Sequence, residues 1–99
     1  MIAREEFAGQ VGTVFRVVGG PFDSLALRLA EIQEGRAAPG YEVFSLIFDG
    51  PAEPRLEQAT HELSHPALGT NPVLLVPVQA VPGGIRYEAL FNRRRSEPA

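Results

Sequence analysis

Leu56-Glu57-Gln58-Ala59-Thr60-His61-Glu62-Leu63-Ser64-His65-Pro66 is the stretch whose conformation decides both the fold class and the chemistry of this chain. Its centre, His61-Glu62-Leu63-Ser64-His65, matches the zincin pattern, in which two His one helical turn apart ligate one Zn²⁺ and the Glu acts as general base. On a helix such side chains stand about 5–6 Å apart at Cβ. On a strand they lie about 13 Å apart, four rises of about 3.3 Å. Zn–N bonds of about 2.0–2.1 Å cannot bridge the second arrangement.

The local signals are divided. Leu56, Ala59 or Thr60, and Leu63 fit a helical stripe. Gln58, Thr60, Glu62 and Ser64 also alternate with Ala59, His61, Leu63 and His65, as on a strand. Pro66 pushes His65 out of the α region, so a zincin helix would end on its own ligand. We read the segment as extended and the His-Glu-x-x-His match as coincidence. The alternative is a minimal zinc hydrolase using His61, His65 and Glu62.

Outward from this stretch, period-two alternation recurs between Gly/Pro breaks. Phe15 and Val17 oppose Val14, Arg16 and Val18. Leu25, Leu27 and Leu29 alternate with Ala26, Arg28 and Ala30, and Ile32 follows Glu31. Phe44, Leu46 and Phe48 share a face, with Ser45 and Asp49 on the other. Val73 to Val78 is apolar on both faces and reads as a central strand, with a bulge to accommodate Pro77. Ile85, Tyr87, Ala89 and Phe91 alternate with Arg86, Glu88 and Asn92. Residues 2–11 form either a short helical turn or a covering strand, and both place Phe7 on the core. The breaks fall at 19–21, 35–40, 50–51, 65–72 and 82–84. Together these predict an all-β fold: one small antiparallel barrel or sandwich of about six to seven strands spanning 1–92, then an Arg-rich tail, 93–99.

Composition narrows the function classes. A length of 99 residues allows a single domain, and 44 % hydrophobic residues are enough for a small core. The absence of cysteine removes disulfides and thiolate chemistry. Nine basic residues, all Arg, against twelve acidic ones give a net charge of −3, which argues against nucleic acid as the main partner. No apolar run is long enough for a membrane span, and the charged start is unlike a signal peptide, so the expected place of synthesis is the cytoplasm. Arg93-Arg94-Arg95 is a candidate contact for an acidic partner, against the plainer reading of a solvated tail. Gly50-Pro51 and His65-Pro66 to Gly69 read as structural turns, with His65 capping its turn through a side-chain hydrogen bond.

The ordered segments Phe44-Ser45-Leu46-Ile47-Phe48-Asp49-Gly50-Pro51, His65-Pro66-Ala67-Leu68-Gly69, Leu75-Val76-Pro77-Val78 and Tyr87-Glu88-Ala89-Leu90-Phe91-Asn92 resemble an uncharacterised bacterial family of small all-β domains of unknown function. Phe7, Gly12 and Phe15 fit its opening segment. The resemblance covers nearly the whole chain and carries no catalytic residue. It implies a structural or adaptor role, because members tend to be encoded near tail-collar or fibre-like proteins of phage-type assemblies. Incorporation into a larger particle follows from the same implication. The chain departs from the pattern at His61, where the family usually has Tyr, at Ala59, where Gly is expected, and in the longer stretch 79–84.

The leading expectation is therefore a non-catalytic structural or protein-interaction module, with no cofactor, that binds a protein partner or itself. A barrel holding an apolar small molecule among Phe15, Phe44, Phe48 and Phe91 ranks last, because so small a barrel has little interior to spare.

Overall fold

Alternation becomes strand throughout the chain, and in the computed structural model, which describes residues 2–94, the strands close on themselves. The elements are α1 (Arg4–Ala8), β1 (Val14–Val18), β2 (Ala26–Glu34), β3 (Tyr41–Pro51), β4 (Ala59–His65), β5 (Gly69–Val81) and β6 (Gly84–Arg94). The six strands form a closed barrel in the order β1-β2-β3-β6-β5-β4, and every neighbouring pair is antiparallel. Three successive hairpin-linked strands, with β4 returning beside β1, make a Greek-key path. Closure is partial between β5 and β6, which pair only from Val76↔Glu88 to Val81↔Gly84, so the first half of β5 and the last half of β6 run unpaired to each other.

The interior is packed with side chains. Phe15 and Val17 of β1, Leu27 and Leu29 of β2, Phe44, Leu46 and Phe48 of β3, Leu63 of β4, Val73 and Leu75 of β5, and Ile85, Tyr87 and Ala89 of β6 are all buried. Phe15 meets Phe48 edge to face at 5.3 Å. The inward stripe of β2 changes parity because of a bulge between Leu29 and Glu31, which is why Leu29 and Ile32 can both face the core three residues apart.

Both ends of the barrel are plugged. Phe7 of α1 lies 5.6 Å from Phe91 and 6.3 Å from Phe44, so residues 2–11 take the helical-turn option. The helix of five residues is too short to be stable alone and depends on this burial. Toward the far end of β3, Leu56 from the β3–β4 connection is fully buried and donates its backbone N–H to the Tyr87 hydroxyl at 2.9 Å.

Several boundaries differ from the sequence reading. The break at 65–72 contracts, because β5 begins at Gly69 and includes Asn71 and Pro72. Pro72 is opposite Glu62, and its other flank lies beyond the last β5–β6 pair, Val76↔Glu88, where a missing N–H costs no ladder bond. Asp49-Gly50-Pro51 does close β3, which ends at Pro51, but the ladder persists to that end, with Gly50 opposite Ile85 and Pro51 opposite Gly84. Gly50 is needed for space, since a Cβ there would meet Leu27 Cδ2 at 2.7 Å and Tyr87 Cε2 at 3.1 Å. Strand β6 runs on to Arg94, two residues past the expected domain end at 92.

Candidate functional site

His61 and His65 both lie on β4, so the paired ligands of a zincin helix do not form. Four strand rises of about 3.3 Å separate them, and Glu62 falls on the opposite face of the strand from both. His61 Nε2 is 3.0 Å from the Glu57 carbonyl. Among the described residues no group of three or more His, Asp or Glu is placed to hold a metal.

His65 instead joins three elements. Its Nδ1 accepts the Ala67 backbone N–H at 3.0 Å, which holds the turn after Pro66. A nitrogen that accepts carries no proton, so in the neutral ring the hydrogen sits on Nε2. Nε2 is 2.9 Å from Thr13 Oγ1, and that hydroxyl in turn donates to the Gln10 carbonyl at 2.7 Å. The chain Ala67 to His65 to Thr13 to Gln10 is complete, with each donor meeting one acceptor. A histidine that activates a hydroxyl must face it with a bare nitrogen, and here the nitrogen facing Thr13 bears the hydrogen. The arrangement ties β4 to the approach into β1 and generates no nucleophile. Phe15 packs on the imidazole at 4.5 Å. Thr13→Val should leave Nε2–H without its acceptor and cost about 1–3 kcal/mol, read as a lowered urea midpoint with an unchanged m value.

The remaining expected turn residues divide. Pro66 lies in the β4–β5 turn, and Gly69, at φ 76°, opens β5 opposite His65. Thr13, Val14, Arg16, Ser64, His65, Pro66, Gly69 and Thr70 line a surface cleft of about 630 Å³ beside this turn.

Arg93 is no solvated tail residue. Its Nε donates to Glu42 Oε2 at 2.7 Å and a terminal nitrogen donates to the Ile2 carbonyl at 2.6 Å. Its guanidinium carbon sits 5.2 Å from the Phe44 ring centre and 5.4 Å from that of Phe91. This clamps the N-terminal segment to the barrel and spends the cation internally. Arg94 stands 5.9 Å over Tyr41. Arg95 lies outside the described residues.

Of the four phenylalanines expected to surround an apolar ligand, Phe15, Phe44 and Phe48 are packed inside the core, and Phe91 stacks on Phe44 at 5.0 Å.

With the interior filled, the outer faces carry what chemistry the barrel offers. Leu74 and Val78 of β5 and Leu90 of β6 are exposed by 51 %, 49 % and 62 %. The apolar run on β5 therefore has one buried face and one exposed face. This corrects the inference that apolar residues on both sides mean burial on both sides. Leu74 and Leu90 each lie two residues beyond the paired Val76 and Glu88 on adjacent strands. Across β2, β3, β6 and β5 the register sets Arg28, Asp49, Arg86 and Gln79 in one row, and Glu31, Ile47, Glu88 and Val76 in the next. Arg86 Nε bonds Asp49 Oδ1 at 3.1 Å, with Arg28 3.9 Å from the same carboxylate. Glu88 accepts from the Ser45 hydroxyl at 2.7 Å. Ile47 in their midst is only 4 % exposed. Strand by strand, the sequence alternation already sets Arg28, Ser45, Asp49, Arg86 and Glu88 opposite the core-facing residues, but a row spanning several strands has no local signature.

Among the described residues no helix is long and apolar enough to cross a membrane. Compared with known proteins, the chain matches no curated protein and no solved structure. A family model does match, over residues 2–91, nearly the full span of the barrel. On that match the chain belongs to the DUF6916 family, a domain of unknown function.

Proposed function

We propose that this domain is a non-catalytic protein-interaction module whose contact surface is the outer face of β5 and β6. The observation that supports it is the exposure of Leu74, Val78 and Leu90 on adjacent strands of a barrel whose inside is already full. Isolated exposed aliphatics are ordinary on soluble proteins, whereas clustered ones mark contact surfaces. The tied-up state of His65 and Arg93 favours a scaffold over a reacting centre. A setting in a phage-tail-like or fibre-like assembly is the finer form of the proposal, and it rests on the resemblance of the sequence motifs alone.

A photo-reactive side chain placed at position 90 in the full chain, in the cells that make it, tests the reading. It should give discrete adducts that disappear on adding Leu74→Arg. The same probe at exposed Arg55, in the β3–β4 connection, should give none. Adducts of equal yield from both positions, or none from position 90, would sink the reading.

A further inference from the structure

The barrel is unzipped along part of one seam, and we infer that an extended segment of a partner protein adds there as a strand on the free edge of β6. The inference rests on the interaction-module reading and says how the partner binds. Strands β5 and β6 pair from Val81↔Gly84 only as far as Val76↔Glu88, although β6 continues six residues further along β3, from Ala89 to Arg94. Alternate residues of a strand direct N–H and C=O to the same flank, so three of those six offer both groups to the seam. No backbone bond among the described residues takes them up. Such a row of donors and acceptors is matched in spacing by another extended backbone, which is how strand addition gains its affinity. The facing stretch of β5 contains Pro72, a residue that blunts an edge, so β6 is the side that accepts.

Side chains on the two faces of the seam define the segment. Toward the core, Ile2, Phe7, Val73 and Phe91 line a cavity of about 220 Å³ together with Asn71 and Arg93. Toward solvent, Leu74 on β5 and Leu90 on β6 stand exposed. An added strand turns alternate side chains to these two faces. The inward ones must be aliphatic to enter the cavity, whereas the outward ones lie between leucine and water and can be Thr or Val. At the end of the edge Arg94 is exposed, lies over Tyr41 and has no carboxylate partner among the described residues. Charge complementarity therefore puts an acidic residue at the end of the segment beside it. A second copy of this chain is not the source of such a segment. Its apolar strands are committed to their own barrel, and each of its connections carries Gly or Pro.

The test selects binders of the full chain from a displayed library of short peptides of random sequence. The selected peptides should lack Pro, place aliphatic residues at every second position and carry Asp or Glu at one end. At saturation, a selected peptide should slow amide exchange at alternate residues between Ala89 and Arg94 by about tenfold or more. N-methylation of the peptide at the alternate amides that face β6 should abolish binding, and methylation of the intervening ones should cost far less. Arg94→Glu should raise the Kd for the acidic peptide by about tenfold, and a peptide with Lys in place of the acid should recover it. Circular dichroism of the variant separates lost binding from lost folding. A library that yields no binder, peptides indifferent to which amides are methylated, or unchanged exchange at 89–94 would overturn strand addition. If position 90 still gives discrete adducts that Leu74→Arg removes, the interaction-module reading stands while this mode of binding falls.

Discussion

Phe44→Ala is expected to lower stability by about 3–5 kcal/mol, the range for deleting a buried aromatic ring. The side chain is 1 % exposed and stands between two sets of contacts. Phe91 stacks on it at 5.0 Å, Phe7 closes in from α1 at 6.3 Å, and the Arg93 guanidinium sits 5.2 Å from its centre. Removing the ring therefore opens a cavity in the barrel and loosens the clamp on the N-terminal segment together. For a domain of this size the loss should appear as a fall in Tm of upwards of about 12 °C. Amide exchange should also quicken at Gly9 and Gln10, whose N–H groups bond back into α1. Phe7→Ala should speed the same exchange with a smaller global loss, because it removes the plug and leaves the barrel wall intact. A Phe44→Ala protein within about 1 kcal/mol of wild type in urea would show that the ring carries no such weight.

What was legible in the sequence followed from local geometry. The alternation in β3 and β6 identifies the inward faces, because a strand exposes every second residue to the same side. Phe7 is a core residue under either reading of residues 2–11, so its burial did not depend on choosing one. The helix-against-strand ambiguity resolves toward strand over Ala59–His65, with residues 56–58 in the connection before it, and Pro66 supplies the reason: His65 sits in extended backbone before a proline. The features that escaped depend on partners distant in sequence. Gly50-Pro51 looks like a terminator, yet Gly50 remains in register opposite Ile85 because Leu27 and Tyr87 occupy the space a side chain would need. Arg93 looks like the start of a tail until Glu42 and the Ile2 carbonyl arrive from elsewhere in the chain. The charged rows on the outer face are assembled from four strands and have no counterpart in any one segment. The bulge beside Val78 falls next to Pro77, the residue that predicts one, whereas the one beside Ala30 has no such marker and periodicity alone cannot place it.

Leu56→Ala should destabilise the fold by about 2–5 kcal/mol, although the residue belongs to a connection and not to a strand. Leu56 is fully buried, as is Tyr87, and the phenolic oxygen accepts the Leu56 N–H at 2.9 Å. The hydroxyl thus satisfies a backbone donor that the buried leucine has carried away from water. Tyr87→Phe keeps the ring packing and deletes only that acceptor, so about 1–3 kcal/mol should be lost to an unpaired buried N–H. The two effects should not add. Once Leu56 is shortened to alanine the connection can loosen, the N–H can reach solvent, and the missing hydroxyl matters less. The double variant should accordingly fall short of the summed losses by about 0.5–3 kcal/mol, the scale of coupling between residues in direct contact. Urea denaturation of the four proteins measures that difference directly. Strict additivity, or a Tyr87→Phe variant as stable as wild type, would mean that the plug and its hydrogen bond act independently.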